Sequence, residues 1–580
     1  MITTKAGSTE VGDQMFRVML IRPSGRFNGK SFPDGPWVSI PNGLLYVSAA
    51  IEQANPGEVE VRVLDALATP DLEAFERATT PLLFGLQMNQ ILDEIRAYRP
   101  RMVGVTAHSY HYFRDFVETI QAIRAAFPDV FLFGGGPDMT ADHERYFEQV
   151  PYLSAAVLGE GEETTRELVT RVRACADWRD VRGIAWRRES DGVVVKNPAR
   201  EWIRDLDHRQ PDYDKIDLEK YFRLNRLGFR ARVTYRYPGV DRTVDIVTSR
   251  GCPYPCTFCS NFIHMGRAFR PESVPSVIAH MQRLIDAHGV RHFHFEDDVL
   301  TMNKQRFRAL LESIIERDWR ITWDTPNGVR VDSLDEEILA LCRRSGCSHL
   351  IFGAETGSPR MLAEVMKKGF TLEDTERAAE LCWRAEIDTL AYYIVGSPGE
   401  RVDEIEQTYE FAFKLMERWG VTPLLQLWRP LPGTDMYEAA NASHGLTGST
   451  AEYLHEKYRV PFVSFKRDMH ANPQFTADDF GRLHARWERR IKVLGARKWA
   501  RILAANPHAW PRVAADVAGF VFDPTRSLRD RSDSAKARLF DTAAYPFSYV
   551  HRLGEVWEDR PEGTTRGSSG PSQTKPSQRT

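Results

Sequence analysis

Three of the seven cysteines of this 580-residue chain are crowded into eight consecutive positions. The run reads SRGCPYPCTFC and places thiols at Cys252, Cys256 and Cys259. Three thiolates this close can share one metal centre, whereas a structural zinc site or an ordinary iron–sulfur cluster normally takes four protein ligands. Since no fourth cysteine lies nearby, the pattern favours a four-iron cluster with one iron left open for a ligand. The alternative is a zinc site completed by a distant histidine such as His264.

Six β-rich runs separated by helical patterns follow one another between residues 242 and 430. They cover residues 243–249, 292–297, 320–325, 349–355, 389–396 and 423–428. Six strand–helix units in a row predict a partial (β/α)6 barrel, which places its active site at the carboxyl ends of the strands. Polar or glycine-rich residues stand at those ends, namely Asp297, Asn327, Arg330, Glu355 and Gly396.

A second alternating series precedes the cysteines. Its β-rich runs cover residues 16–21, 59–65, 101–107, 130–135 and 154–159. This alternation predicts a doubly wound, Rossmann-like parallel sheet, whose ligand lies at the carboxyl ends of the strands. Residues that let a ligand approach the backbone, or that open a helix, occupy these points. They are Asn42, Leu44, Thr106, Gly135, Gly136, Glu160 and Gly161.

The cysteine run, with Phe258 just before its last thiol, resembles the signature loop of the radical S-adenosylmethionine (SAM) enzymes. The resemblance implies a [4Fe–4S] cluster on the three cysteines, with the open iron chelated by SAM. It also implies that Glu355 and Asp297 bind the ribose or amino group of SAM, and that Arg330 binds its carboxylate. Phe258 and the turn at Gly396 complete the implied SAM site. In such enzymes the cofactors perform the radical chemistry and the protein orients them.

The N-terminal series resembles the cobalamin-binding domain found in part of that family, and the whole resemblance spans about residues 16–435. It implies cobalamin contacts for the seven residues given above, from Asn42 to Gly161. The DxHxxG run that supplies a cobalt-ligating histidine in mutases is missing. The sequence therefore favours a cobalamin without a histidine ligand, with His108 and His111 as the alternative ligands. A sheet that binds no cofactor is a further alternative.

The composition narrows the class of protein. Lys and Arg number 77 against 80 Asp and Glu, so the charge balance does not suggest nucleic acid. No run of 18 apolar residues and no apolar N-terminal leader occur, so we expect no membrane span and a cytoplasmic location. The predicted division is a flexible N-terminus (1–15), a cobalamin-binding domain (16–187), a connector (188–240), a radical SAM partial barrel (241–435), a helical C-terminal region (436–558) and a disordered tail (559–580).

Together these features predict a cobalamin-dependent radical SAM methyltransferase that methylates an unactivated carbon of a small molecule. By resemblance, a 5′-deoxyadenosyl radical activates the substrate, methylcobalamin supplies the methyl group, and an external donor such as flavodoxin or ferredoxin supplies electrons. The first alternative is a cyclase, oxidase or ring-rearranging enzyme of the same architecture. The alternative outside the enzymes is a zinc-stabilised, cobalamin-binding regulatory protein. The sequence does not identify the substrate.

Overall fold

The computed structural model describes residues 15–27, 36, 38–77, 82–109, 112–227, 229, 241–444, 477–507 and 511. The predicted flexible N-terminus (apart from residue 15), His111 and the predicted disordered tail lie outside these ranges.

The N-terminal half contains a seven-stranded sheet with the strand order β3-β1-β5-β6-β7-β8-β9. The first five of these strands are parallel, and β8 and β9 are added antiparallel at one edge. A separate antiparallel pair is formed by β2 and β4. The strands are β1 (Phe16–Arg22), β2 (Gly25–Phe27), β3 (Val59–Asp65), β4 (Leu82–Phe84), β5 (Met102–Thr106), β6 (Phe131–Gly135), β7 (Ala155–Val157), β8 (Ile184–Arg187) and β9 (Val194–Lys196).

The doubly wound architecture follows from the residue pattern of the central strands. In β1, Val18 and Leu20 join one hydrophobic core while Met19 and Ile21 join another. A parallel strand that is covered by helices on both faces reads as a continuous apolar run, as β1 does. The flanking helices are α1 (Asn42–Ala54), α2 (Leu72–Arg77), α3 (Met88–Tyr98), α4 (Phe113–Ala126), α5 (Pro137–Ala141), α6 (His143–Gln149), α7 (Gly161–Arg173) and α8 (Leu218–Arg226). The predicted Rossmann-like sheet is thereby confirmed.

Six parallel strands form the second sheet, in the order β10-β13-β14-β15-β16-β17. Each of the six predicted β-rich runs corresponds to a different strand of this sheet, which confirms the βα series of the partial barrel. The strands are β10 (Thr243–Ile246), β13 (His292–Phe295), β14 (Thr322–Asp324), β15 (Cys347–Glu355), β16 (Asp388–Val395) and β17 (Thr422–Leu427), with a small pair β11 (Ser249–Arg250) and β12 (Arg270–Pro271) beside them. The helices are α9 (Asn261–Met265), α10 (Val274–His288), α11 (Lys304–Arg317), α12 (Glu336–Arg344), α13 (Leu372–Arg384), α14 (Val402–Trp419) and α15 (Asp435–His444).

Within the predicted helical C-terminal region, the structure has the long helix α16 (Ala477–Ala505). Its Trp487 packs against Tyr409 and Phe413 of α14, with ring centroids 4.7 and 5.2 Å apart. This face of α16 is thus packed against the barrel. Within the described ranges, no helix is both long enough and apolar enough to span a bilayer.

Candidate active site between the two sheets

A cavity of about 740 Å³ lies at the carboxyl ends of the barrel strands and is lined on its other side by residues of the N-terminal half. The two halves therefore share one space. The N-terminal wall includes Arg22, Ser39, Asn42, His108 and Tyr112. The barrel wall includes Cys252, Cys256, Phe258, Cys259, Asp298, Arg330, Glu355 and Lys368.

The cysteine loop is fixed in place by its backbone. Gly251 has a φ of +82°, and a Cβ at this position would lie 2.2 Å from the carbonyl oxygen of Ala268, so only glycine fits. Thr257 anchors the middle of the loop, because its amide donates to the Met366 carbonyl at 3.2 Å and its hydroxyl to Val365 at 2.6 Å. The backbone of the loop is thereby held at Gly251 and Thr257 by contacts that do not involve the sulfurs.

The three thiols are partly buried and line the same cavity. Burial raises the pKa of all three, to about 12 for Cys259, so a bound cation is needed to stabilise the thiolates. Among the described residues, the cysteines do not form a group whose ligand atoms all lie within 4.8 Å of one another. The wider spacing suits a four-iron cluster, in which each cysteine binds a different iron, better than a single zinc ion.

Asp297 does not line the cavity. Its carboxylate is buried and accepts hydrogen bonds from the Thr248 amide at 3.1 Å, the Thr248 hydroxyl at 2.8 Å and the Ser249 hydroxyl. The neighbouring Asp298 does line it, and accepts from the Gly251 amide at 3.0 Å. Asp297 thus supports the start of the cysteine loop from behind, whereas Asp298 lies on the cavity wall. A contact of Asp297 with SAM stays a prediction. Burial raises the pKa of Asp298 to about 6.

Glu355 ends strand β15 and is buried on the cavity wall. Its carboxylate forms an ion pair with Lys368 at 2.8 Å. Burial by itself would lower the pKa of Lys368, but Glu355 and the thiol of Cys256 raise it above its usual value. The Lys368 ammonium also lies 5.7 Å from the ring centre of Phe258. The predicted residues Glu355 and Phe258 are thus brought together by a lysine that the sequence did not single out.

Arg330 lines the cavity beside the cysteine loop. Its guanidinium stacks over the ring of Tyr254 at 3.7 Å from the centroid and donates to Asp332 and to the Lys368 carbonyl. A guanidinium held flat in this way presents its donors in a fixed direction, which suits the binding of a carboxylate.

Gly396 follows β16 with a φ of +79° and is not part of the cavity wall. Its amide donates to the Glu400 carboxylate at 2.6 Å, and the Ser397 amide donates to the same oxygen at 3.0 Å. The predicted SAM contact therefore corresponds to a turn that Glu400 stabilises from within. The turn shapes the end of β16 without lining the cavity itself.

On the N-terminal wall, two buried polar atoms have no hydrogen-bond partner among the described residues: Oδ1 of Asn42 and Nδ1 of His108. Asn42 is held through its amide, which donates to the Asp245 carbonyl at 2.8 Å. The His108 ring stacks on Tyr112 at 4.2 Å. Burial, with Arg22 nearby, lowers the pKa of His108 to about 3, so its ring is neutral. Unpaired polar atoms on this wall fit a polar cofactor such as a corrinoid.

The other predicted cobalamin residues do not line the cavity. Gly136 has a φ of +109°, and a Cβ there would lie 2.8 Å from the Ala107 carbonyl oxygen, so the strand–helix turn requires glycine. Thr106 and Gly135 are neighbours at the ends of β5 and β6. Gly161 opens α7. Leu44 is partly buried and packs against the core. These residues shape the carboxyl edge of the sheet, and their contacts with cobalamin stay a prediction.

Glu160 belongs to a buried ion network, and its contact with cobalamin stays a prediction. Its buried carboxylate accepts from Arg250 at 2.9 Å, from Arg270 at 2.8 Å and from the Ile203 amide at 2.8 Å. Glu162 also pairs with Arg250 at 2.8 Å. Because Arg250 stands two residues before the first cysteine, this ion network joins the N-terminal half directly to the cysteine loop. We refer to Glu160, Glu162, Arg250 and Arg270 as the interdomain clamp.

We expect Glu160→Gln to destabilise the protein. The buried guanidinium groups of Arg250 and Arg270 then lose the carboxylate that both contact. Removing one partner of a buried ion pair lowers the free energy of unfolding by about 3 kcal/mol. The thermal midpoint of the full-length chain, measured by scanning calorimetry, should fall clearly. The matched control is Glu201→Gln, whose carboxylate is solvent-exposed and contacts Arg204 only at 4.0 Å. Equal midpoints for the two variants would contradict a stabilising role of the clamp.

Family models give a consistent assignment. Residues 38–169 match the B12 binding domain, and residues 246–412 match the radical SAM superfamily. Each match falls on the half of the structure to which the sequence assigned it. The chain belongs to the radical SAM enzymes that carry a B12-binding domain, which confirms the resemblance and the assignment of a [4Fe–4S] cluster, SAM and cobalamin as its cofactors.

The relatives that this chain matches include both methyltransferases and cyclases. The chain is 28% identical to an uncharacterized methyltransferase of Pyrococcus horikoshii, over 70% of this chain and 79% of the relative. It is also 28% identical to the anaerobic magnesium-protoporphyrin IX monomethyl ester cyclase of Rubrivivax gelatinosus, over 73% of this chain and 69% of the relative. In fold it is similar to the radical SAM methyltransferase TsrM of Kitasatospora setae, with a TM-score of 0.56 and 23% identity over 74% of this chain and 79% of that one.

Proposed function

We propose that this enzyme transfers a methyl group from SAM to an unactivated carbon of a small-molecule substrate. The observation that carries the proposal is the shared cavity, which is lined by the cysteine loop on one side and by Asn42 and His108 on the other. When bound, the cluster supplies an electron to SAM, and cobalamin supplies a cobalt centre that can carry a methyl group. A substrate held in this cavity would lie between the residues that would hold the two cofactors.

The residues of the chain would orient SAM and limit the access of water to the cavity. Lys368 keeps the Glu355 carboxylate in place, and Tyr254 keeps the Arg330 guanidinium in place, on the same wall as the thiols. There the two charged groups would bind the amino and carboxylate ends of SAM. Holding reacting groups in the productive geometry removes a large part of the entropic barrier. Apolar residues on the same wall, among them Ile394, Leu427 and Trp428, reduce the access of water to a reactive radical.

The decisive experiment follows the methyl group. Anaerobically reconstituted enzyme with substrate, cobalamin and methyl-labelled SAM is expected to yield labelled product, with S-adenosylhomocysteine and 5′-deoxyadenosine in comparable amounts. Both by-products are expected because a cobalamin that accepts a methyl group and a cluster that cleaves SAM reductively would each consume one SAM. Enzyme without cobalamin is the control: it should cleave SAM slowly and transfer no methyl group.

A cyclase or oxidase reaction is the second candidate, favoured by the similarity to the Rubrivivax gelatinosus cyclase. It predicts product formation with abundant 5′-deoxyadenosine, without labelled methyl and without S-adenosylhomocysteine. An external donor such as flavodoxin or ferredoxin belongs to either proposal, because both need an electron for SAM cleavage. A regulatory protein stabilised by zinc at the cysteines would instead contain zinc there and no cluster iron.

A further inference from the structure

A row of five ionisable residues crosses the inside of the barrel. Backbone register pairs Asp245 with His294, His294 with Asp324, Asp324 with His349, and His349 with Asp388. All five side chains are buried. Residues paired across neighbouring parallel strands point to the same face, so the row forms one alternating acidic and basic layer. Asp245 also lines the cavity, which makes this layer part of the cavity floor.

At the centre of the layer, two imidazoles converge on one carboxylate. His294 Nδ1 lies 2.8 Å from the Asp324 carboxylate, His292 Nε2 lies 3.2 Å from it, and the two ring nitrogens are 3.2 Å apart. These atoms all lie within 4.8 Å of one another. Ligand atoms about 2.0–2.2 Å from one zinc ion are themselves separated by roughly 3.3 Å, so the spacing matches a single-ion site.

Hydroxyl groups hold the imidazoles from behind. His292 Nδ1 is 2.7 Å from the Thr322 hydroxyl, which leaves Nε2 facing the carboxylate. The Ser348 hydroxyl donates to the Trp323 carbonyl at 3.1 Å, so it accepts from His349 Nδ1 at 3.0 Å. In the neutral ring, His349 Nε2 then carries no proton, and it lies 3.5 Å from Asp324. Outer hydrogen bonds of this kind orient the histidines of metal sites.

The charges of the layer also favour a cation. Three carboxylates, those of Asp245, Asp324 and Asp388, are buried in it. At the end of the layer that Asp388 forms, Lys498 of α16 contributes a positive charge. Its ammonium donates to the Thr422 hydroxyl at 3.0 Å. A divalent ion would balance negative charge that these buried carboxylates bring to the layer.

We propose that His292, His294 and Asp324 bind a divalent first-row transition ion inside the barrel, separate from the cysteine site; His349 lies beside Asp324, outside this group of three. Two imidazoles with one carboxylate form a donor set typical of zinc. Because the site is buried and carries no open face to the cavity, the ion stabilises the barrel floor beneath Asp245. The proposal does not depend on methyl transfer.

Metal analysis of the full-length protein tests this site. Anaerobically purified enzyme, and the variant with Cys252, Cys256 and Cys259 replaced by alanine, should each contain about one zinc per chain, although the variant has lost its cluster iron. X-ray absorption at the zinc edge should show nitrogen and oxygen at about 2.0–2.1 Å and no sulfur at about 2.3 Å. Another first-row ion with the same nitrogen and oxygen shell, present in the cysteine variant, would equally support the site.

Substitutions assign the ion to these residues. His292→Gln and Asp324→Asn should lower the bound zinc more than tenfold, whereas His280→Gln, which changes a buried histidine of α10 outside the cluster, should keep it. If the two variants fail to fold, the wild-type measurement still decides. The proposal is overturned if the cluster-loaded wild type contains no such ion and takes up none from added zinc, or if the bound zinc shows sulfur ligands. A proton-sharing network would then occupy the layer.

Discussion

Replacing Cys252, Cys256 and Cys259 together with alanine is expected to abolish reductive SAM cleavage and the broad visible absorbance of a thiolate-bound iron–sulfur cluster. All three sulfurs line the shared cavity, and the backbone of their loop is fixed by Gly251 and Thr257 independently of the thiols. The variant should therefore fold while losing its cluster. The measurements are iron and sulfide content, the visible spectrum, and 5′-deoxyadenosine formed with dithionite as reductant.

Cys175→Ser is the matched control, because this cysteine is solvent-exposed and lies outside the cavity. It should keep both the spectrum and SAM cleavage. Near-normal cluster iron in the triple variant would overturn the assignment of the cysteine site. If bound zinc persisted in that variant with nitrogen and oxygen ligands only, it would belong to the histidine site in the barrel and would leave the assignment of the cysteines untouched.

The strand–helix alternation was predictable because each central strand is a short run of buried β-branched and aliphatic residues. The run FRVMLI forms β1 and sends alternate side chains into two cores. Both sets of side chains must then be apolar, so such a strand is visible in the sequence as a continuous apolar run. Strands β8 and β9 were not predicted. They form an antiparallel edge from only four and three residues, and several of these side chains are only partly buried. An edge strand that is covered on only one face does not need apolar side chains on its other face. Its sequence therefore lacks the continuous apolar run that marks a central strand.

The position of the site was predictable, but the direction of individual side chains was not. Asp297 and Asp298 follow the same strand, and successive side chains at a strand end point to opposite sides. Composition cannot decide which of two adjacent aspartates faces the cavity. Glu160 shows a related difficulty, since its partners Arg250 and Arg270 are about 90 and 110 positions away along the chain. Only the tertiary structure brings them together.

Lys368 was missed for a similar reason. It stands in a loop after the short helix at 361–365, where no periodicity marks a buried side chain. A lysine is usually exposed, and its burial here depends on Glu355. The three histidines of the barrel interior were also overlooked, although the alternation HFHF in β13 places two histidines on one face of the strand. That alternation, followed by an aspartate on the next strand, was the available signal.

Glu355→Gln is expected to lower the rate of reductive SAM cleavage by more than tenfold, which corresponds to roughly 1.4 kcal/mol in the barrier. The change leaves the buried ammonium of Lys368 without its carboxylate partner and removes a charged group from the wall beside Cys256. SAM then loses an orienting contact, and its carbon–sulfur bond is displaced from the geometry that cleavage requires.

Arg330→Lys should have a comparable effect, since lysine cannot reproduce the stacked, forked guanidinium that lies on Tyr254. The matched control is Glu364→Gln, which alters a nearby exposed carboxylate outside the cavity. Cluster iron should stay normal in all three variants, and 5′-deoxyadenosine formation should fall only in Glu355→Gln and Arg330→Lys.

The assay uses single turnover with dithionite at saturating SAM, so that a change in SAM affinity alone does not lower the rate. Wild-type rates in Glu355→Gln and Arg330→Lys would show that SAM is oriented by other residues of the wall, of which Asp298 is the first to test, because its carboxylate already holds Gly251 of the cysteine loop.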